Sequence, residues 1–372
     1  MPDGPQETPF HEPLNEAPSR DPLKMLPVLF VLATITSLYL MYVICHCLPM
    51  LQLLVPADMV DQNVYARGVI ETCIFHVITF FLILSYVRCV LVHPGEVPNI
   101  EPWLYTSQPH ASDLLHLKET KAGGERRHCK WCGKYKPDRC HHCRPCNTCI
   151  LRMDHHCPWI YNCVGFHNYK YFFLLLFYTV CDTQFIVWTM AESMIRVVDE
   201  SAPFAQMFFT LFGLTLALFL GSLATPFFGF HIWLTAMGLT TIEFCEKRLP
   251  KKSEGQTSGD CCTDMMENDS IWNLGCWDNM TAALGSNLLL WPFPISGPSG
   301  DGLTYQTSEN PYGGYREYEG GRGLKKQGSS RKLIEQAAAW TSYGSAVPPA
   351  VGNYNRKLQR GGMMPDTILY KH

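Results

Sequence analysis

The sequence predicts an all-α membrane protein: four transmembrane helices with a small cysteine-rich cytosolic module set between helices 2 and 3. Three observations predict it. Four apolar runs have the length of about 20 residues that crosses a bilayer: Leu26–Leu48, Val69–Val92, Tyr171–Met194 and Met207–Phe230. The loop between the second and third runs is dense in cysteine and histidine. That same loop holds most of the connecting Lys and Arg: Lys118, Lys121, Arg126, Arg127, Lys130, Lys134, Lys136, Arg139, Arg144, Arg152 and Lys170. The other two connections offer only Arg67 and Arg196, so the positive-inside bias places both termini and the cysteine-rich loop in the cytosol.

The elements follow in order. Residues 1–24 are polar and proline-rich, without an apolar segment of signal type, and read as a disordered cytosolic arm. Residues 26–92 form transmembrane helices 1 and 2, a hairpin closed by a short loop with Pro49 and Pro56. His93-Pro94-Gly95 stops the chain at the interface. Residues 126–170 form the module, too small for an apolar core and therefore dependent on metal. Residues 171–239 form helices 3 and 4, the fourth expected to break near Pro226. Residues 240–295 return to the cytosol, and Ile271, Trp272, Leu274, Trp277, Met280, Leu284 and Trp291 give an amphipathic segment that docks on the module or the membrane surface. Residues 296–372 read as mostly disordered, with a short helix at Arg331–Trp340. The formal net charge is −3 over 372 residues, and nothing points to nucleic acid as a partner.

Of 17 cysteines, eight lie between Cys129 and Cys163. Cys129/Cys132, Cys143/Cys146 and Cys146/Cys149 have Cys-x-x-Cys spacing, which indicates reduced thiolate ligands rather than disulfides. Zinc takes four such ligands. With Cys140 and Cys157 set aside, six cysteines plus His142 and His156 complete two tetrahedral sites. One rival reading is one zinc plus reactive thiols; a separate one makes Cys157 a ninth, redundant ligand. Cys45, Cys47, Cys73 and Cys89, in or beside apolar runs, read as small apolar filler. Cys261-Cys262 and Cys276 are candidates for acylation of the tail itself or plain surface thiols.

The whole string, Cys129-x2-Cys132-x3-Lys136-Pro137-x2-Cys140-His141-His142-Cys143-x2-Cys146-x2-Cys149-x4-Asp154-His155-His156-Cys157-x5-Cys163-x4-Asn168-x3-Phe172, resembles the DHHC cysteine-rich domain of protein S-acyltransferases (palmitoyltransferases). The resemblance covers the four spans, the module and the segment after span four. It implies zinc on Cys129, Cys132, His142 and Cys149, and a second zinc on Cys143, Cys146, His156 and Cys163. Neighbours in an extended strand point to opposite sides, so His142 and Cys143 can serve different metals, and His155 and His156 different purposes. Both zincs are structural. Long-chain acyl-CoA is the implied substrate. The other partners are the lipid bilayer and membrane-associated proteins with cytosolic cysteines.

In that reading Cys157 is the nucleophile, His155 takes its proton and Asp154 orients the imidazole. Thr240-Thr241-Ile242-Glu243 matches the family's Thr-Thr-x-Glu motif: Thr241 is expected to brace Asp154, and Glu243 to accept bonds from the module. Without the resemblance, capping of a span end would explain the tetrapeptide better. Trp159 seats Cys157 at the bilayer interface, while Arg127 and Lys136 match positions facing the CoA phosphates. Asp182 falls about 17 Å along span three at 1.5 Å per residue, where an ionisable group is costly. It is expected to cap the closed end of the acyl pocket, paired with His76 or Gln184. Departures from the family pattern are Ser270 for Asn, His93 for Asp before Pro94-Gly95, and Tyr161 for Asn. The implied function is protein-cysteine S-palmitoyl transfer by two thioester exchanges. The alternative is a non-catalytic, membrane-anchored zinc module. The protein is expected in endomembranes (ER or Golgi) or the plasma membrane.

Overall fold

The computed structural model describes residues 22–100, 102–105, 117–121, 123–248 and 270–308. The expected arm (but for its last three residues), the Arg331–Trp340 helix and Cys261-Cys262 lie outside the described residues.

Among the described residues four helices are long and apolar enough to cross a membrane: Leu23–Met50, Gln62–Leu91, Tyr169–Asp199 and Phe204–Ala236. The regular α-helical part of the first is α1 (Leu26–Tyr42); the others are α2 (Gln62–Leu91), α3 (Tyr169–Asp199) and α4 (Phe204–Ala236). Phe30, Ile70, Ile74, Phe80, Phe219 and Leu223 stand exposed on the outer faces of the bundle, the surface that lipid covers. Helix α3 is the central one, packed on both α2 and α4. Asp61 opens α2, its carboxylate accepting from Asn63 N (2.9 Å) and Val64 N (3.3 Å).

Two backbone features depart from the sequence expectation. Beyond Tyr42 the first helix widens into one π turn, Val43–Cys47, before Leu48–Met50. Pro49 has no N–H for the regular ladder, and a π turn accommodates that loss. Pro226, by contrast, does not break α4, which runs unbroken from Phe204 to Ala236. In lipid an interrupted helix would leave backbone groups without partners, so continuity is favoured despite the missing donor.

At the end remote from the module, polar groups knit the helices together. Arg67 bridges Glu71 (2.7 Å) and Glu192, and His46 sits between Ser193 (2.7 Å) and Glu71 (3.0 Å).

The module consists of three antiparallel hairpins: β1 (His128–Cys129) with β2 (Lys134–Tyr135), β3 (His141–Cys143) with β4 (Thr148–Ile150), and β5 (His155–Cys157) with β6 (Asn162–Val164). Gly133 and Asn147, each directly after a Cys-x-x-Cys, adopt φ of 60° and 51°. That left-handed residue turns the chain back so that both cysteines face inward. Backbone bonds from Leu151 N to Gly95 O (3.1 Å) and His167 N to Pro94 O (3.1 Å) tie the module to the end of α2. At His93 the imidazole Nδ1 accepts from Gly95 N (3.1 Å), so the turn has a side-chain acceptor.

After α4 come α5 (Thr241–Arg248) and, within the last described stretch, α6 (Cys276–Leu284). Asn279 anchors this stretch. Its Nδ2 donates to Ala236 O and Asn273 Oδ1 (both 2.8 Å), and its Oδ1 accepts from Leu274 N (3.0 Å). The Ser270 hydroxyl accepts a long 3.4 Å contact from Trp272 N, and its carbonyl accepts from Asn273 N (2.8 Å). Lys170 Nζ reaches Leu290 O (2.7 Å) and Ser296 Oγ (2.8 Å), and Tyr178 donates to Pro292 O (2.6 Å), so the stretch is strapped along α3.

Candidate active site and metal centres

The hairpins sort the side chains. In β3–β4, His142 stands opposite Cys149; in β5–β6, His156 stands opposite Cys163. Two clusters result: Cys129, Cys132, His142 and Cys149, and Cys143, Cys146, His156 and Cys163, with all ligand atoms of each within 4.8 Å of one another. Tetrahedral zinc with bonds near 2.3 Å to sulfur and 2.0–2.1 Å to nitrogen sets ligand atoms about 3.5–3.8 Å apart. Cys132 Sγ and Cys149 Sγ lie 3.3 and 3.9 Å from His142 Nδ1. In the second cluster Cys143, Cys146 and Cys163 lie 3.6, 3.4 and 3.5 Å from His156 Nδ1. Both donor sets fit zinc in chemistry and spacing, and each closes at four without Cys140 or Cys157.

His155 and Cys157 are two apart in β5 and therefore share the face opposite His156. Asp154 is fully buried. It accepts from His155 Nδ1 (2.7 Å), from Thr241 N (2.9 Å) and from Thr241 Oγ1 (2.7 Å). Burial alone would raise its pKa, but the His155 and Thr241 interactions outweigh that and hold the carboxyl below its usual range. Burial would lower His155; the bond to Asp154 and a second hydrogen bond with Cys157 outweigh it, and the ring is pushed up to about 9. The bond between Asp154 and Nδ1 leaves Nε2 as the nitrogen for proton exchange.

The Thr-Thr-x-Glu segment does two jobs. Thr240 N donates to Glu243 Oε2 (2.9 Å) and Glu243 N to Thr240 Oγ1 (3.2 Å), a reciprocal capping box that starts α5. Glu243 also receives Arg139 through Nε (2.6 Å) and Nη2 (2.7 Å), both side chains buried. That fork locks α5 onto the module, and the lock puts Thr241 against Asp154.

The remaining expected site residues are placed as follows. Trp159 is half exposed, and its ring lies 6.2 Å from Phe30 of α1. Tyr86 of α2 donates to Trp159 O (2.9 Å), fixing the turn after Cys157. Tyr161 takes a left-handed φ of 49° at that turn, the conformation that Asn adopts more readily. Arg127 and Lys136 are backbone neighbours (Lys136 N to Arg127 O, 2.8 Å) and flank His141, whose pKa burial and then these two charges push down to about 4. Arg127 is also ion-paired with Glu119 and donates to Pro137 O (3.0 Å), so it is partly committed within the module. Asp182 is buried, and its partner is Thr79 Oγ1 (2.9 Å), not His76 or Gln184. His76 instead contacts Tyr39 (3.1 Å) and Thr72 O (2.7 Å). Thr79 lies one turn of α2 beyond His76, and its hydroxyl meets Asp182 on α3.

Two features escaped the sequence reading. His231 of α4 is buried, its ring 6.2 Å from His155 and 5.1 Å from Phe172, and its Nδ1 lacks a hydrogen-bond partner. A lone histidine in an apolar run was the only signal. Arg139, read simply as one of many loop cations, proves to be the clasp between module and α5.

Fold and site together define an integral membrane protein whose two-zinc module presents a cysteine, a histidine and a buried aspartate beside the helix bundle. The family model for DHHC palmitoyltransferase matches residues 122–248. Among curated proteins, the chain is 32% identical to palmitoyltransferase ZDHHC15 of Rattus norvegicus over 78% of this chain and 85% of that protein. It is 30% identical to ZDHHC15A of Danio rerio (76% and 84%) and 30% identical to ZDHHC20 of Homo sapiens (76% and 76%). The chain belongs to the DHHC palmitoyltransferase family.

Proposed function

We propose that this protein is a protein-cysteine S-palmitoyltransferase acting through Cys157. The observation that carries the reading is the chain of contacts from Thr241 through Asp154 to His155, with Cys157 on the same strand face and outside both metal clusters.

In the first exchange His155 Nε2 accepts the Cys157 proton and the thiolate attacks the carbonyl carbon of a long-chain acyl-CoA. The carbon–sulfur bond to CoA breaks, and the departing thiolate takes the proton back from His155. In the second exchange a substrate-protein cysteine gives its proton to His155 and attacks the Cys157 thioester, and Cys157 leaves as thiolate and is reprotonated. One thioester replaces another in each step, so no ATP is required. Asp154 holds the ring and favours the charged imidazolium. Zinc, held by the two ligand sets, supplies structure: it fixes β5 so that His155 and Cys157 stay on one face.

The acyl chain lies among the helices below Cys157, past Phe172, and Asp182 with Thr79 closes the far end. Burying about 15 methylenes at roughly 0.8 kcal/mol each gives a large gross driving force, reduced by the costs of association. Arg127 and Lys136 take the CoA phosphates. The Lys/Arg distribution supports a cytosolic module and cytosolic termini, so the substrates are membrane-associated proteins with cytosolic cysteines.

The test is acyl loading of purified protein. Wild type should take up a hydroxylamine-labile label from palmitoyl-CoA, and Cys157→Ser should not, with two zincs per chain in both. Loading of the serine variant at the wild-type level would leave only the non-catalytic zinc module.

A further inference from the structure

A cavity of about 70 Å³ lies where the module, the end of α4 and the 270–308 stretch meet. Arg139, Arg152, Trp272, Asn279, Thr304 and Gln306 are among its lining. A water needs about 10–15 Å³ of such space, so the cavity holds about five water-sized atoms, enough for a tetrahedral oxyanion.

The two arginines differ. Arg139 donates through Nε and Nη2 to Glu243 and through Nη2 to Gly238 O (2.7 Å). Arg152 is 8% exposed, its Nε is buried without a hydrogen-bond partner, and among the described residues no acceptor meets its guanidinium. Its guanidinium lies over the face of Tyr169, 5.6 Å from the ring centroid. Of the two buried guanidiniums, Arg139 alone meets a carboxylate among the described residues. Asp301 does not supply the missing charge: it is exposed, and its carboxylate accepts from Leu303 N (2.9 Å), Thr304 N (3.0 Å) and Thr304 Oγ1 (3.2 Å). Arginine keeps its proton in a protein, so it has no route to neutrality when buried. Both arginines also hold left-handed backbone, with φ of 60° and 43°, an arrangement L side chains adopt only when surroundings enforce it.

We propose that this cavity is an oxyanion site in which Arg152 holds a phosphate group, and that the ligand joins the 270–308 stretch to the metal module. Free inorganic phosphate and the phosphate monoester of a lipid present the same chemistry. Arg152 meets either with its planar fork.

The test uses the full-length, zinc-loaded protein in a chloride buffer at constant ionic strength. Thermal unfolding is followed against inorganic phosphate in detergent, and in nanodiscs containing phosphatidic acid or phosphatidylcholine alone. The midpoint of wild type should rise with phosphate concentration, or with phosphatidic acid over phosphatidylcholine; the arm that responds names the source. Lys121→Gln, which removes one exposed positive charge, should behave as wild type. Arg152→Gln should weaken the apparent affinity about tenfold or more. Should that variant fail to fold, Arg152→Lys keeps the charge without the fork and should still bind more weakly than wild type. A midpoint unmoved by either ligand, or a response that the Arg152 variant retains in full, overturns the proposal.

Discussion

Asp154 has no exposed surface and three donors converging on it, two of them from Thr241. A buried hydrogen bond to a charged group is worth about 1.5–3 kcal/mol. Thr241→Val keeps the shape and the backbone donor but removes the hydroxyl, so loading should slow roughly tenfold to a hundredfold, with zinc content unchanged in metal analysis. Asp182 gives a second expectation. Asp182→Ala removes a carboxyl from the closed end and leaves Thr79 facing empty space, so the acyl-CoA profile should shift toward longer chains in competition assays. An unchanged profile would remove Asp182 from the pocket. At this scale the sequence carried the ligands and the Asp-His-His-Cys string because their spacing is local. Thr79 as the partner of Asp182 and the approach of His231 to His155 depend on how helices rotate against each other, which hydropathy does not encode.

At the scale of elements, α5 shows how eight residues position a site. The capping box of Thr240 and Glu243 starts the helix, and the Arg139 fork fastens it. Breaking a buried ion pair by removing one partner costs about 3–5 kcal/mol. Arg139→Gln should therefore lower the unfolding midpoint and slow loading together. Adding Glu243→Gln should recover part of the stability, which a double-mutant cycle measures. The tetrapeptide was visible in the sequence, but its two readings, cap and catalytic brace, looked like rivals. The two are compatible: the cap fixes the direction in which Thr241 points, and Thr241 meets Asp154. Pro226 was misread for a comparable reason. Its effect was judged as in water, where a broken helix finds other partners, whereas α4 has none outside itself.

For the molecule as a whole, two kinds of cohesion coexist. The bundle is held by backbone bonds within each helix and by lipid outside; the module is held by metal, since its hairpins have strands of only two or three residues. A strong chelator should release about two zincs per chain and abolish loading, while far-UV circular dichroism changes little. Coincident loss of helix would show that the bundle depends on the module. The four spans and the module between the second and third were legible from hydropathy and cysteine spacing. The folding back of residues 270–308 along α3 was not, because Lys170 and Tyr178 hold it by its backbone carbonyls, and a carbonyl leaves no signature in the residue alphabet.

The alternation along β5 has a consequence for the protein's redesign. Reagent and scaffold sit on adjacent rungs of one ladder, His156 facing Cys163 and Cys157 facing Asn162. Inserting a single residue in that strand would exchange their roles, aiming the nucleophile at the metal and a ligand at the lipid. Any transplant of the chemistry into a new host must therefore carry the whole hairpin, in register, with its metal ligands.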